Sequence, residues 1–141
     1  MKKSLIICAL ILCMVVMCST AMAASYSFDF ELKSGGNFGI GRVTTARSSA
    51  HNKADGEGCA YVTPTSRSFL DTRDELQLYI VNEGESGAQT QKLTVKSSSP
   101  SLNVRRSLDY TGSYTVGGSY QLYCYAVTLW KDASVGGRWT P

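Results

Sequence analysis

A single histidine sets the terms for any catalytic reading of this chain. Nucleophile systems of the Ser-His-Asp or Cys-His kind need a positioned imidazole. Only His51 could supply one, from the polar stretch Ser48-Ser49-Ala50-His51-Asn52-Lys53. Nothing near it resembles a nucleophile elbow, so the stretch reads as a solvated loop. A small nuclease could combine one His with a Glu and an Arg, and Glu57 with Arg42 or Arg47 is the set on offer, but no spacing singles these residues out. Paired carboxylates for glycoside hydrolysis would come from Asp71, Asp74 and Glu75. That cluster reads instead as a turn ahead of the apolar alternation that starts at Leu76. Asp55-Gly56-Glu57-Gly58 offers oxygens to a cation but lacks the D-x-[DN]-x-[DN]-G pattern of a calcium loop. One His and no C-x-x-C leave no soft ligand set for zinc. The glycines of Gly35-Gly36-Asn37-Phe38-Gly39-Ile40-Gly41 precede no helix, and phosphate cradling needs a helix N-terminus. The expectation is a protein with no catalytic set, no metal site and no cofactor.

The five cysteines divide between two parts of the chain. Cys8, Cys13 and Cys18 fall in a stretch built like a secretory leader: a basic start at Lys2-Lys3, an apolar run from Leu5 to Cys18, and an A-x-A site at Ala21-Met22-Ala23. The run is too short for a comfortable membrane span. Met17 stands where a lipoprotein signal needs a small residue before Cys18, which argues against lipidation. The organisation expected is a signal peptide over residues 1–23 and one secreted domain over 24–141, with no stable membrane span in the mature form. Cys59 and Cys124 remain, and in an oxidising compartment they would form one disulfide. Closing that loop would stabilise the domain by about 4 kcal/mol on chain-entropy grounds.

Removing Lys2 and Lys3 leaves 12 basic against 11 acidic residues, so neither a nucleic-acid binder nor an acidic solvating tail is expected. The alternation of Tyr26, Phe28, Phe30 and Leu32 with Ser27, Asp29 and Glu31 spells a half-buried strand. Further strands are expected over Gly39 to Ala46 and over Cys59 to Thr63. Leu76, Leu78 and Ile80 continue the pattern, and Leu93 and Val95 return after the turn at Asn82 to Gly87. The alternation resumes at Leu102, Val104 and Leu108. Tyr120 to Lys131 is apolar on both sides, as in a central strand covered on both faces. Nothing beyond the leader shows helical periodicity. About seven short strands with Gly-rich turns predict an all-β fold, an antiparallel β-sandwich with one disulfide.

The span from Cys59 to Cys124, with Tyr120-Gln121-Leu122-Tyr123-Cys124-Tyr125-Ala126, resembles an immunoglobulin-type sandwich, in which two Cys of similar separation bridge the sheets. It departs from that pattern in having no Trp a strand's distance after Cys59 and Leu122 in place of a Tyr two residues before Cys124. In leader, size and strand content the whole chain also resembles the small secreted proteins of Gram-positive bacteria that have no assigned function.

Eight Tyr, four Phe and two Trp all lie beyond the leader. Tyr is a good strand former, and strand faces collect it. Crowding of Tyr110, Tyr114, Tyr120, Tyr123 and Tyr125 ahead of Trp139 also suits recognition of proteins or sugars. The candidate binding surface is therefore Tyr110, Tyr114 and Trp139. Trp139 has two placements open to it, an exposed contact or a terminal strand that folds back and plugs the end of the sandwich. The function expected is a secreted, non-enzymatic binding module, extracellular or envelope-associated, whose partner is a protein or a cell-envelope component. The alternative is a secreted bacteriocin-like or toxin-like antagonist, suggested by the small size and the Gly- and Trp-bearing end.

Overall fold

The alternation between Tyr26 and Leu32 becomes β1 (Tyr26–Leu32), with Phe28, Phe30 and Leu32 buried and the polar residues between them exposed. The computed structural model describes residues 23–35 and 41–141. The expected leader, apart from Ala23, lies outside the described residues. So do most of the Gly-rich segment after Gly35 and the start of the strand expected from Gly39. Eight further strands follow: β2 (Thr45–Arg47), β3 (His51–Asn52), β4 (Cys59–Phe69), β5 (Glu75–Asn82), β6 (Leu93–Val95), β7 (Arg106–Asp109), β8 (Ser119–Thr128) and β9 (Ala133–Thr140). The chain is all-β, and the described residues contain no helix.

Two antiparallel sheets result. The first runs β1-β9-β4-β7; the second runs β2-β8-β5-β6, with β3 beside β2 on the same edge of β8. One buried cluster takes side chains from both: Phe28, Val62 and Val135 from the first sheet, Leu78, Ile80 and Leu122 from the second. The sheets therefore face each other across a single core, the two-layer solution for surfaces that are apolar on one side.

Among the described residues nine strands replace the expected seven, because β2 and β3 are short edge pieces and β9 occupies the end of the chain. Gly136 and Gly137, in the Gly- and Trp-bearing end, lie inside β9. A Cβ on Gly137 would stand 2.3 Å from the Thr63 carbonyl oxygen and 3.1 Å from the Phe28 ring, and one on Gly136 would stand 2.7 Å from Ser66 Oγ. These glycines let β9 lie tightly between β1 and β4.

The expected disulfide is absent: Cys59 and Cys124 are free thiols. Strand parity is the reason. In β4, Ala60 and Val62 point into the core, so Cys59 faces outward with Tyr61 and Thr63. In β8, Cys124 points into the core with Leu122 and Ala126. One thiol is on the outer face of the first sheet and the other is in the core, on the inner face of the second. Burial raises the Cys124 pKa to about 12.

The outer face of β8 is covered less evenly than a central strand would be. Tyr123 packs against Tyr79 and Val81 beneath Arg47, whereas Tyr125 remains 42% exposed.

Candidate functional site

Strand alternation sends Cys59, Tyr61 and Thr63 of β4 to the outer face of the first sheet. The register then sets Thr140 and Ser107 on either side of Tyr61, and Arg138 beside Thr63. Between Pro64 and Ser66 the pairing with β9 slips by one residue, so Thr65 stands out of register as a β-bulge. Asn103, at a left-handed φ of 60° that Asn tolerates, donates its backbone N–H to the Pro64 carbonyl at 2.7 Å. This brings the segment before β7, with Arg105, against the bulge. The result is an open groove of about 600 Å³, walled by Tyr61, Thr63, Thr65, Asn103, Arg105 and Arg138, with Asp55 and Glu57 at one end.

Arg105 is held by stacking: its guanidinium carbon lies 3.4 Å from the centre of the Tyr61 ring. Among the described residues neither Arg105 nor Arg138 has an ion-pair partner. The Tyr61 phenol stays protonated beyond its ordinary range, first through hydrogen bonding to Cys59 and then to Glu57. Cys59 Sγ in turn lies 3.9 Å from Glu57 Oε2.

Lys53 anchors the acidic end from below. Its side chain is fully buried, and Nζ donates to Asp55 Oδ1 at 2.8 Å, to the Cys59 carbonyl at 3.2 Å and to the Pro141 backbone oxygen at 3.1 Å. All three ammonium donors are used, which is what a charge out of water requires. Asp55 Oδ1 also accepts the Glu57 amide at 3.0 Å, closing an Asx-turn across Gly56. A single ion pair thus fixes the loop after β3, the start of β4 and the end of β9.

Two of the residues expected to form a binding surface pack around the Lys53 ammonium. Tyr110 and Tyr114 are half-buried, their ring centres 5.0 Å apart, with Lys53 Nζ 5.3 and 5.4 Å from them. The Tyr114 hydroxyl donates to the Gly56 carbonyl. Trp139 is 1% exposed and takes the plug placement, its indole N–H without a partner among the described residues. The structure thus brings Tyr110 and Tyr114 together, but around Lys53 rather than on an open face.

The other sequence candidates go separate ways. His51 is in β3, not a loop, and its ring stacks on Tyr26 at 3.4 Å with Trp139 edge-on at 5.8 Å. Arg47 lies over Tyr123 on the second sheet, away from Glu57. Asp71 binds Arg73 through both oxygens, which with the Arg73 amide lowers its pKa to about 2. Buried Asp74 accepts the amides of Trp130 and Lys131 at 2.6 and 3.1 Å, and Glu75 pairs with Lys96 at 2.9 Å. Each of these three carboxylates has a structural partner of its own. No group of three or more His, Cys, Asp or Glu side chains converges among the described residues.

Sequence reasoning missed Lys53, Tyr61, Arg105 and Arg138. The alternation of Ala60 and Val62 with Cys59, Tyr61 and Thr63 carries the signal for Tyr61. Nothing in the sequence marks Lys53, whose role depends on contacts with Pro141, 88 positions away. No known protein family, curated protein or solved structure matches this chain.

Proposed function

We propose that the protein is an exported, non-enzymatic binding module that meets its partner through the groove on the outer face of the first sheet. The observation that carries this reading is the groove itself. Its volume of about 600 Å³ lies in the range of pre-formed ligand sites, and its loop residues are tied to the sheet, Arg105 by stacking on Tyr61 and Asn103 by its hydrogen bond to Pro64. Side chains held in place before binding lose little freedom on contact. Export is supported by the leader-like sequence of Met1 to Ala23, and the partner is then a protein or a component of the cell envelope.

Hydroxyl-radical footprinting on the surface of the exporting cells tests the reading. Tyr61, half-buried in the groove wall, should be protected on binding, and Tyr125 on the opposite sheet should oxidise as in the free protein. Protection at Tyr125 with Tyr61 unchanged would place the contact on the other face and end the proposal.

A further inference from the structure

The groove lining carries two carboxylates, Asp55 and Glu57, and two arginines, Arg105 and Arg138, and among the described residues they are not paired with one another. Asp55 is already neutralised by Lys53 at 2.8 Å. Glu57 sits at the same end, turned towards Cys59. Arg105 and Arg138 line the groove with no carboxylate of their own among the described residues. Stacking on Tyr61 fixes the plane of the Arg105 guanidinium without consuming its N–H donors. A planar fork of that kind fits the two oxygens of a carboxylate or phosphate. An oxyanion alone would leave most of the 600 Å³ unfilled. Besides Ala23, Tyr61 and Trp139, the remaining wall is built of hydroxyl- and amide-bearing residues, Ser25, Thr63, Thr65, Thr140 and Asn103. Those groups donate and accept alike, which suits a ligand that carries hydroxyls of its own.

Resting on the reading of the groove as the contact surface, we infer that the groove binds an acidic saccharide, its carboxylate or phosphate held by Arg105 and Arg138 and its hydroxyls by the Thr and Asn wall. Neutral sugars lack the charged anchor, and a bare anion lacks the hydroxyls.

Amide NMR titration of the secreted domain tests this with four probes: glucuronate, glucose 6-phosphate, glucose and inorganic phosphate. The expected result is movement of the Thr63 and Arg138 signals with glucuronate or glucose 6-phosphate. Glucose and inorganic phosphate should need at least ten-fold higher concentration. Raising the salt should weaken the acidic sugars, because the contact is charged and exposed. Arg138→Ala and Arg105→Ala should each cut affinity ten-fold or more. Arg105→Lys keeps the charge but not the planar fork and should fall between. Spectral dispersion shows that each variant is folded. Equal binding of glucose overturns the role of the arginines, and equal binding of phosphate overturns the saccharide; both outcomes leave the groove as a contact surface. Silence in the groove with all four probes overturns the inference, whereas the cell-surface footprint decides separately whether the groove is used at all.

Discussion

The ammonium of Lys53 and the carboxylate of Asp55 meet at 2.8 Å, with the lysine fully buried and the aspartate side chain 19% exposed. That asymmetry makes the two residues unequal in a mutational test. Asp55→Ala strands a buried charge and should destabilise the domain by about 3–5 kcal/mol. Lys53→Met removes the charge, keeps most of the volume and leaves a carboxylate that reaches water. Its cost should be about 1–3 kcal/mol, mostly from carbonyls that lose a donor. Urea unfolding of both variants gives the order. A larger loss for Lys53→Met would mean that the ammonium is not the group that needs its partner.

The thiols should behave differently from each other. Native protein treated with iodoacetamide at pH 8 should be alkylated at Cys59 and not at Cys124, which has no exposed surface and a pKa raised to about 12. Intact mass should match the reduced form, and peptide mapping locates the label. Unfolding in urea should open Cys124 to the reagent. Resistance of Cys59 in the native state would contradict its outward placement.

Alkaline pH should destabilise the fold. The unfolded chain releases the Cys124 proton near its ordinary pKa of 9.0, while the folded chain keeps it until about 12. Burial likewise raises Tyr110 above its ordinary value of 10.0. The folded state therefore binds more protons than the unfolded state in this range. Stability is full below pH 9, falls as the pH rises above it, and goes on falling through the folded-state values. Unfolding midpoints between pH 8 and 11 report the trend, and Cys124→Ala should flatten its first part. A midpoint that rises over this range would contradict the account.

Trp139 should act as a plug. Trp139→Ala should destabilise by about 3–5 kcal/mol through loss of buried surface. Trp139→Phe should lose much less, because the indole N–H has no partner among the described residues to give up. Thermal unfolding of Trp130→Phe backgrounds isolates the effect. Unchanged stability in Trp139→Ala would mean that the ring does not support the core.

Gly137→Ala gives a sharper test of how β9 fits. The added methyl meets the backbone oxygen of Thr63 and the Phe28 ring, neither of which can turn away at little cost. A loss of about 1–3 kcal/mol is expected from overpacking. Gly87→Ala, where a Cβ meets nothing within 4 Å, should leave the midpoint where it was.

What the sequence made legible followed local pattern. The faces of β1 and β5 are the ones their alternation predicts, and β6 returns against β5 where the turn at Asn82 to Gly87 implied it. For β9 the sequence offers only the fold-back of Trp139 as a terminal strand, because glycine weakens a strand pattern and only the neighbours on β1 and β4 require Gly136 and Gly137 there. The disulfide was misread although the parity of Ala60 and Val62 around Tyr61 already turns Cys59 outward. Compartment and an even cysteine count speak only to whether a bond is allowed, not to which way two side chains face. The groove was illegible for a different reason. Arg105, Arg138 and Tyr61 come together through pairings of β4 with β7 and β9, and that register is a property of the whole sheet.

The most direct test of the groove as the contact surface compares the two outer faces of the molecule in one assay. Retention of purified protein on envelopes from the exporting cells is measured for Thr65→Trp, which fills the groove from an exposed bulge position, and for Tyr125→Ala on the second sheet. Thr65→Trp should lose at least nine-tenths of the retention while remaining folded, and Tyr125→Ala should be retained like the parent. Full retention of folded Thr65→Trp, with loss in Tyr125→Ala, would contradict the groove as the contact surface.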